Sequence, residues 1–143
     1  MKLKNIFLCD AATAHPDNTF SVLRGGISVL NLSIPPNGDL SQVPPLQITL
    51  VGTIELEVTE MGRVHNVELA CMDLDGQKVL PDVRGSFQTP VSSKRGYFNL
   101  ILNTLLKISK PGEYCFYVNV DGLELGSQPL TVLFHQLQPP QAS

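Results

Sequence analysis

The clearest pattern in the chain is a period of two between residues 46 and 58. Leu46, Ile48, Leu50, Ile54, Leu56 and Val58 are apolar, while Gln47, Thr49, Thr53, Glu55 and Glu57 between them are polar. Only Val51 breaks the alternation, and Gly52 stands at its centre. A helix would need apolar positions 3.6 residues apart, so this segment predicts a half-buried strand, bent at Gly52. Residues 3–12 form a nearly continuous apolar stretch, which predicts a strand covered on both faces. The turn residues His15-Pro16-Asp17-Asn18 follow. Residues 19–33 predict a second strand, and the parity of its apolar positions changes at Gly25-Gly26, as one extra residue at a bulge would produce.

Pro35, Pro36, Pro44 and Pro45, with Asn37-Gly38, make residues 34–45 a loop. After a turn at Met61-Gly62, Val67, Leu69 and Cys71 alternate with polar or small residues and predict another strand. Asp75-Gly76 is a hairpin turn signal. Pro81, Gly85 and Pro90 break residues 77–89 into an irregular edge strand. A polar loop covers 91–96, and Phe98, Leu100 and Leu102 share one strand face. Residues 103–107 fit a strand or one helical turn. Pro111-Gly112 leads into a last hairpin, with Tyr114, Phe116, Val118 and Val120 on one face. Its turn is Asp121-Gly122, and Leu130, Val132 and Phe134 share a face of the returning strand.

About seven or eight strands with regular turn signals and no amphipathic helix predict an all-β fold, a two-sheet antiparallel β-sandwich of immunoglobulin-like type. The antibody signature is missing, since the chain has no Trp and no cysteine pair at inter-sheet spacing. Residues 1–136 are expected to form one β-sandwich domain and 137–143, which contain Pro139-Pro140, a frayed C-terminal tail.

Composition narrows the function classes. Charged residues are 16% of the chain, below the usual share of about 25%, which leaves neutral or apolar surface for a partner or an oligomer. The net charge is −3, and only Lys2 with Lys4 and Lys94 with Arg95 bring cations together. That argues against nucleic acid, whose phosphates require clustered Lys and Arg. Cys9, Cys71 and Cys115 are odd in number and widely spaced, which fits packing in a reducing compartment better than a disulfide framework. The apolar run Ile6-Phe7-Leu8-Cys9 is too short for a signal peptide, and no segment is long enough to span a bilayer, so the expected location is the cytoplasm.

The segments "FLCDAATAHPDNTFSVLRGGISVL", "LQITLVGTIEL" and "KPGEYCFYVNVDGLELGSQPLTV" together cover most of the chain. With Asp10, Ala12, Gly25, Gly26, Pro111, Gly112 and Tyr114 at its motif positions, the sequence resembles an uncharacterised family of small bacterial β-sandwich proteins. The resemblance implies a bacterial cytoplasmic sandwich and brings no activity with it.

Four residues stand out as candidate structural or ligand-contact groups. Asp10 falls in a stretch expected to be buried, where a carboxylate needs a partner. It is either a ligand-contacting acid or a structural acceptor for the backbone N–H groups of residues 12–14. Lys94, Arg95 and Tyr97 form a basic, aromatic loop tip suited to an anion or a partner. The loops 34–45 and 89–96 are the expected recognition surfaces. Asp73, Asp75 and Asp121 are too few for the six to eight oxygens of a calcium site and belong to hairpin turns. His15, His65 and His135 lack zinc-ligand spacing, and each Cys falls within a strand, where a thiol is inert packing. No catalytic, metal or cofactor site is expected.

The function expected is a non-enzymatic interaction or structural module of a bacterial cytoplasmic assembly. It would act through a protein partner or as a homo-oligomer, with exposed edge strands as the pairing surface. The alternative is a sandwich that binds a small molecule or carbohydrate in a pocket lined by Tyr97, Tyr114 or Tyr117. An enzymatic role would rest on Asp10 and a meeting of Cys with His, and is not expected.

Overall fold

The computed structural model describes residues 1–136, so the expected tail at 137–143 lies outside the described residues. The described residues form ten strands and no α-helix: β1 (Lys2–Cys9), β2 (Ala11–Ala14), β3 (Phe20–Leu23), β4 (Val29–Ile34), β5 (Leu46–Leu56), β6 (Val64–Asp73), β7 (Val83–Gln88), β8 (Gly96–Leu106), β9 (Gly112–Val120) and β10 (Leu123–Gln136). Two single 3-10 turns, Leu40–Gln42 and Val58–Glu60, complete the elements. The chain is all-β, as the turn and alternation pattern predicts.

The strands make a three-stranded sheet, β1-β5-β8, a five-stranded sheet, β4-β10-β9-β6-β7, and a two-stranded ribbon, β2-β3. All neighbours are antiparallel except β4, which runs parallel to β10 from Val29↔Thr131 to Ile34↔Gln136. One buried cluster draws on both larger sheets. Leu8, Ile48, Leu50, Ile54, Leu56, Leu100 and Leu106 come from the three-stranded sheet. Val67, Leu69, Cys71, Phe87, Tyr114, Phe116, Val118, Val120, Leu130 and Val132 come from the five-stranded one. Phe116, which is fully buried, faces Cys71 across the β6–β9 ladder. Truncation of a buried ring of this size costs about 3–5 kcal/mol.

Two predicted strands divide, which raises the count to ten. The stretch 3–12 is interrupted at Asp10, where the chain bends between β1 and β2. The stretch 19–33 is not one bulged strand. Gly25-Gly26 is a crossing point, where the chain leaves the ribbon after β3 and joins the five-stranded sheet as β4. Gly26, at φ 83°, occupies the left-handed region that glycine tolerates, and its N–H and that of Ile27 both donate to the carbonyl of Leu8. The parity change therefore marks a change of sheet.

At Gly52, where the alternation predicts a bend, the β5–β8 ladder runs on unbroken. β5 pairs with β8 without a register shift, and the irregularity lies opposite, between Leu3 and Asn5 of β1. A side chain on Gly52 would meet Leu3 Cδ1 at 3.1 Å and the Asn5 carbonyl at 3.2 Å, so this glycine makes room for the neighbouring bulge. The segment 103–107 resolves as the end of strand β8, up to Leu106. Pro129 is tolerated in β10 because β4 joins the other side of that strand only from Thr131, where its first partner is Val29. The Asp121-Gly122 hairpin has positive φ at both residues, 51° and 83°, as a two-residue turn of that type requires.

Candidate functional site

The outer face of the three-stranded sheet is built in rows. Register places Lys2, Glu55 and Tyr97 side by side, then Asn5, Thr53 and Asn99, then Cys9, Thr49 and Asn103. The β2–β3 ribbon closes over this face: Asn99 Nδ2 donates to the Asn18 carbonyl at the ribbon turn (2.9 Å), and Phe20 lies against Phe7. This cover explains why Thr49 and Val51, on the outward positions of β5, are buried, whereas Glu55 is buried among Lys2, Lys4 and Arg95.

Glu55 carries the densest charge cluster. Its side chain is 3% exposed, with Arg95 Nη1 at 3.1 Å from Oε1 and Lys2 and Lys4 Nζ at 3.4 and 3.8 Å from Oε2. Burial acts to raise its pKa, but Lys2, Lys4 and Arg95 prevail and hold the carboxyl below its ordinary value. Arg95 also reaches Glu57 at 3.4 Å. The two loop-tip residues Arg95 and Tyr97 therefore border this cluster, with Tyr97 47% exposed, while Lys94 lies in the preceding turn, where its N–H donates to Ser92 Oγ. Periodicity alone could not reveal Glu55 as a site, because its alternation looks solvent-facing.

Asp10 is not the buried acceptor of a local turn. It is half-exposed at the β1–β2 bend and forms a two-point pair with Arg24, at 2.9 Å to Nη2 and 2.8 Å to Nε. Its own N–H donates to Leu23 O. The acid thus ties the two ends of the ribbon together. Arg24 sits at φ 50°, a conformation the sequence does not signal for an arginine.

The remaining candidates do not converge. Asp121, in the β9–β10 turn, lies beside the start of β6, where its N–H donates to Asn66 O, whereas Asp73 ends β6 and binds its own turn. His15 pairs with Ser21, His65 with Asp121 and His135 with Asn31, so none of the three is bonded to a cysteine. Burial raises the thiol pKa of Cys9, and that of Cys71 is pushed up to about 12. The three tyrosines do not line one pocket. Tyr114 and Tyr117 border a cleft of about 240 Å3 on the five-stranded sheet, and Tyr97 lies on the other sheet. Tyr114 O–H donates to the Lys110 carbonyl at 2.6 Å, which fixes the start of β9.

A different surface stands out: the free edge of β8. This strand pairs with β5 along its full 11 residues, from Leu46↔Leu106 to Leu56↔Gly96. No described strand pairs with its other edge. Its sequence GYFNLILNTLL holds no charge and no proline. Natural edges are normally blunted by Lys, Pro, bulges or shortness, and β8 has none of these. β7, the edge of the five-stranded sheet, stands beside it: Phe87 stacks on Phe98 with ring centroids 4.3 Å apart. An open cleft of about 520 Å3 lies along this edge, between Leu80, Pro81 and Val83 on one side and Asn103 to Leu105 on the other. Leu105 is 62% exposed there.

No helix among the described residues is long and apolar enough to cross a membrane. No curated protein matches the chain. Among solved structures that match is a "putative beta-galactosidase from bacteroides fragilis", 17% identical, with a TM-score of 0.37 over 64% of this chain. The chain spans 15% of the length of that protein, and a likeness of this order carries no argument about function. The sequence profile of a family of unknown function, DUF6941, matches residues 4–133, and the chain belongs to that family.

Proposed function

We propose that this chain is a non-enzymatic protein-interaction module, an immunoglobulin-like sandwich whose β8 edge takes up an extended strand of a partner protein. The strand order supports the fold reading. β1-β5-β8 correspond to strands A-B-E, and β4-β10-β9-β6-β7 to A′-G-F-C-C′, with no counterpart of strand D beside E. Tyr114 supports it too. Its hydroxyl bonds back to Lys110 four residues upstream, and it stands two residues before Phe116, which occupies the place of the second cysteine of antibody domains. The three free cysteines fit a reducing compartment such as the cytoplasm.

The observation that carries the functional reading is the uncharged, bulge-free, one-sided β8. Its outward N–H and C=O groups offer a ladder, and main-chain pairing with an added strand would satisfy them. The open cleft between Leu80, Pro81 and Val83 and the end of β8 at Asn103 to Leu105 lies where the missing D would start. Site-specific photo-crosslinking in the source cells tests this, with the crosslinker at Leu105 and a control at Leu123, which is 69% exposed at the β9–β10 hairpin, away from β7 and β8. The expected result is an adduct at position 105, mapped to one extended segment of a partner and absent at position 123. Equal labelling at the two positions, or none at 105, removes the reading.

A further inference from the structure

The sequence of β8 reads the same in both directions at its centre: Asn99-Leu100-Ile101-Leu102-Asn103 is a palindrome about Ile101. The pattern extends along the outward positions, where Tyr97, Asn99, Ile101, Asn103 and Leu105 run apolar, polar, apolar, polar, apolar. Tyr97 and Leu105, at equal distance on either side of Ile101, are 47% and 62% exposed. β5 repeats the symmetry. Thr53 Oγ1 donates to Asn99 Oδ1 at 3.1 Å and Thr49 Oγ1 to Asn103 Oδ1 at 2.8 Å, and Val51 lies between them opposite Ile101. Both asparagines are thereby held in a set orientation beside the free edge. Pairing with β5 does not call for a palindrome. Two copies of one strand that pair antiparallel about a twofold axis do, because residue i then faces j and j faces i.

We propose that the strand taken up at the β8 edge is β8 of a second copy of this chain, running antiparallel, with the twofold axis at Ile101. This rests on the strand-addition reading above and names its partner. Ile101 then faces Ile101 of the second copy, Leu100 faces Leu102, Asn99 faces Asn103 and Tyr97 faces Leu105. Directly opposite Cβ atoms stand about 5 Å apart, so a tyrosine ring covers each exposed Leu105 and each facing pair of asparagines is within hydrogen-bond reach. The same pattern sets the register. Moving the axis to Leu100 or Leu102 puts Ile101 opposite an asparagine, and a one-residue slip turns the apolar side chains to the other face. The absence of charge on β8 follows the same logic, since every contact across a twofold axis is made twice. Beyond the strand ends Lys107 comes opposite Arg95 of the second copy, which Glu55 and Glu57 already neutralise at 3.1 and 3.4 Å. The product is one six-stranded sheet, β1-β5-β8-β8-β5-β1, in which β8 has no open edge.

Light scattering coupled to size exclusion, on the purified full-length chain at up to about 100 μM, tests this. The expected mass is twice 15.6 kDa. Leu105→Lys should weaken the dimer about tenfold or more, because the substitution acts at both ends of the ladder. Ile101→Lys and Ile101→Glu should each be monomeric, with like charges face to face, and an equimolar mixture of the two should dimerise again, since only a residue on the axis meets itself. Leu105 is exposed, so Leu105→Lys reads the interface even if a charge at the half-buried Ile101 unfolds the chain. A photo-crosslinker at position 105 of the purified chain should give a covalent dimer, joined near Tyr97 of the second copy. A mass of 15.6 kDa throughout, or a dimer indifferent to Leu105→Lys, overturns self-pairing at β8. An adduct at position 105 with a different protein in cells would then leave strand addition standing, and no adduct there overturns both.

Discussion

His65 Nδ1 lies 2.6 Å from Asp121 Oδ2, and the same ring places Nε2 2.6 Å from the backbone carbonyl of Glu60. The ring is 1% exposed and lies against Phe87. A carbonyl and a carboxylate only accept, so both contacts are hydrogen bonds only when each ring nitrogen carries a proton. His65 thus ties β6 to the 3-10 turn at Val58–Glu60 and to the β9–β10 hairpin. The Glu60 carboxylate in turn holds the N-terminal ammonium at 2.6 Å. His65→Ala would leave two acceptors facing a void. Because Asp121 is 43% exposed, water compensates part of the loss, and the expected cost is about 2 kcal/mol. Urea unfolding measures it, and an unchanged midpoint would show that the ring is not a clamp.

Tyr114→Phe removes one hydroxyl and leaves the packing of the ring. The Lys110 carbonyl loses its donor in a half-buried corner, so the expected cost is about 1–2 kcal/mol, read from the denaturant midpoint at constant slope. A change below a few tenths of a kcal/mol would mean that water replaces the bond at no cost.

Much of this architecture was legible in the alternation pattern, and the departures have physical causes. Val67, Leu69, Cys71, Phe116, Val118, Val120, Leu130 and Val132 all point into the core because period two is a property of the backbone itself. The edge position of β7 was legible from the prolines and glycine around it. The resemblance to an uncharacterised family agrees with the family of unknown function to which the chain belongs. The division at Gly25-Gly26 was not legible, because a change of sheet and a bulge shift the parity of apolar residues in the same way. Asp10 was misplaced because its partner, Arg24, is brought beside it only by closure of the ribbon. The β8 edge was hidden for a related reason: its apolar alternation marks a strand, but whether that strand has one neighbour or two depends on the pairing of the whole sheet.

Glu55 gives a sharper test of how tertiary cover overrides pattern. The Glu55→Gln variant keeps the shape and removes the charge that Lys2, Lys4 and Arg95 surround. Three cations then lose their common counter-ion, and the variant should be less stable than the parent at low salt. Added salt should narrow the difference, because the lysine and arginine ends are exposed. Thermal unfolding at 20 mM and 500 mM NaCl reads this directly. A difference that does not change with salt would assign the effect to lost hydrogen bonding alone.

Gly62 is a position where backbone and packing agree. Its φ of 80° lies in the left-handed region, its N–H donates to the Thr89 carbonyl, and a Cβ there would collide with Val91 Cγ2. Gly62→Ala should therefore cost about 1–2 kcal/mol. Gly85→Ala, on a strand where a Cβ meets nothing, is the control and should be neutral or slightly stabilising. Equal effects of the two would show that conformation at Gly62 is not restricted.

The pH dependence follows from the carboxylates that the fold holds ionised. The hydrogen bond from His65, then that from the Asn66 N–H, keeps the Asp121 carboxyl below its ordinary value. The Gln77 N–H, with Lys110 next to it, does the same for Asp73 against the opposing effect of burial. A depressed folded-state pKa means that the unfolded chain binds protons first on acidification. The stabilisation is complete above the ordinary carboxylate range and is lost as pH falls below about 4 through the folded-state values. Stability should thus fall steeply between pH 4 and pH 2. Asp121→Asn and Asp73→Asn should each lower stability at pH 7 and flatten the acid limb, since the proton uptake at that site is gone. Urea midpoints taken from pH 7 to pH 2.5 decide the point: parallel curves for parent and variants would show that these carboxylates carry no pH-linked stability, whereas convergence at low pH is the expected outcome.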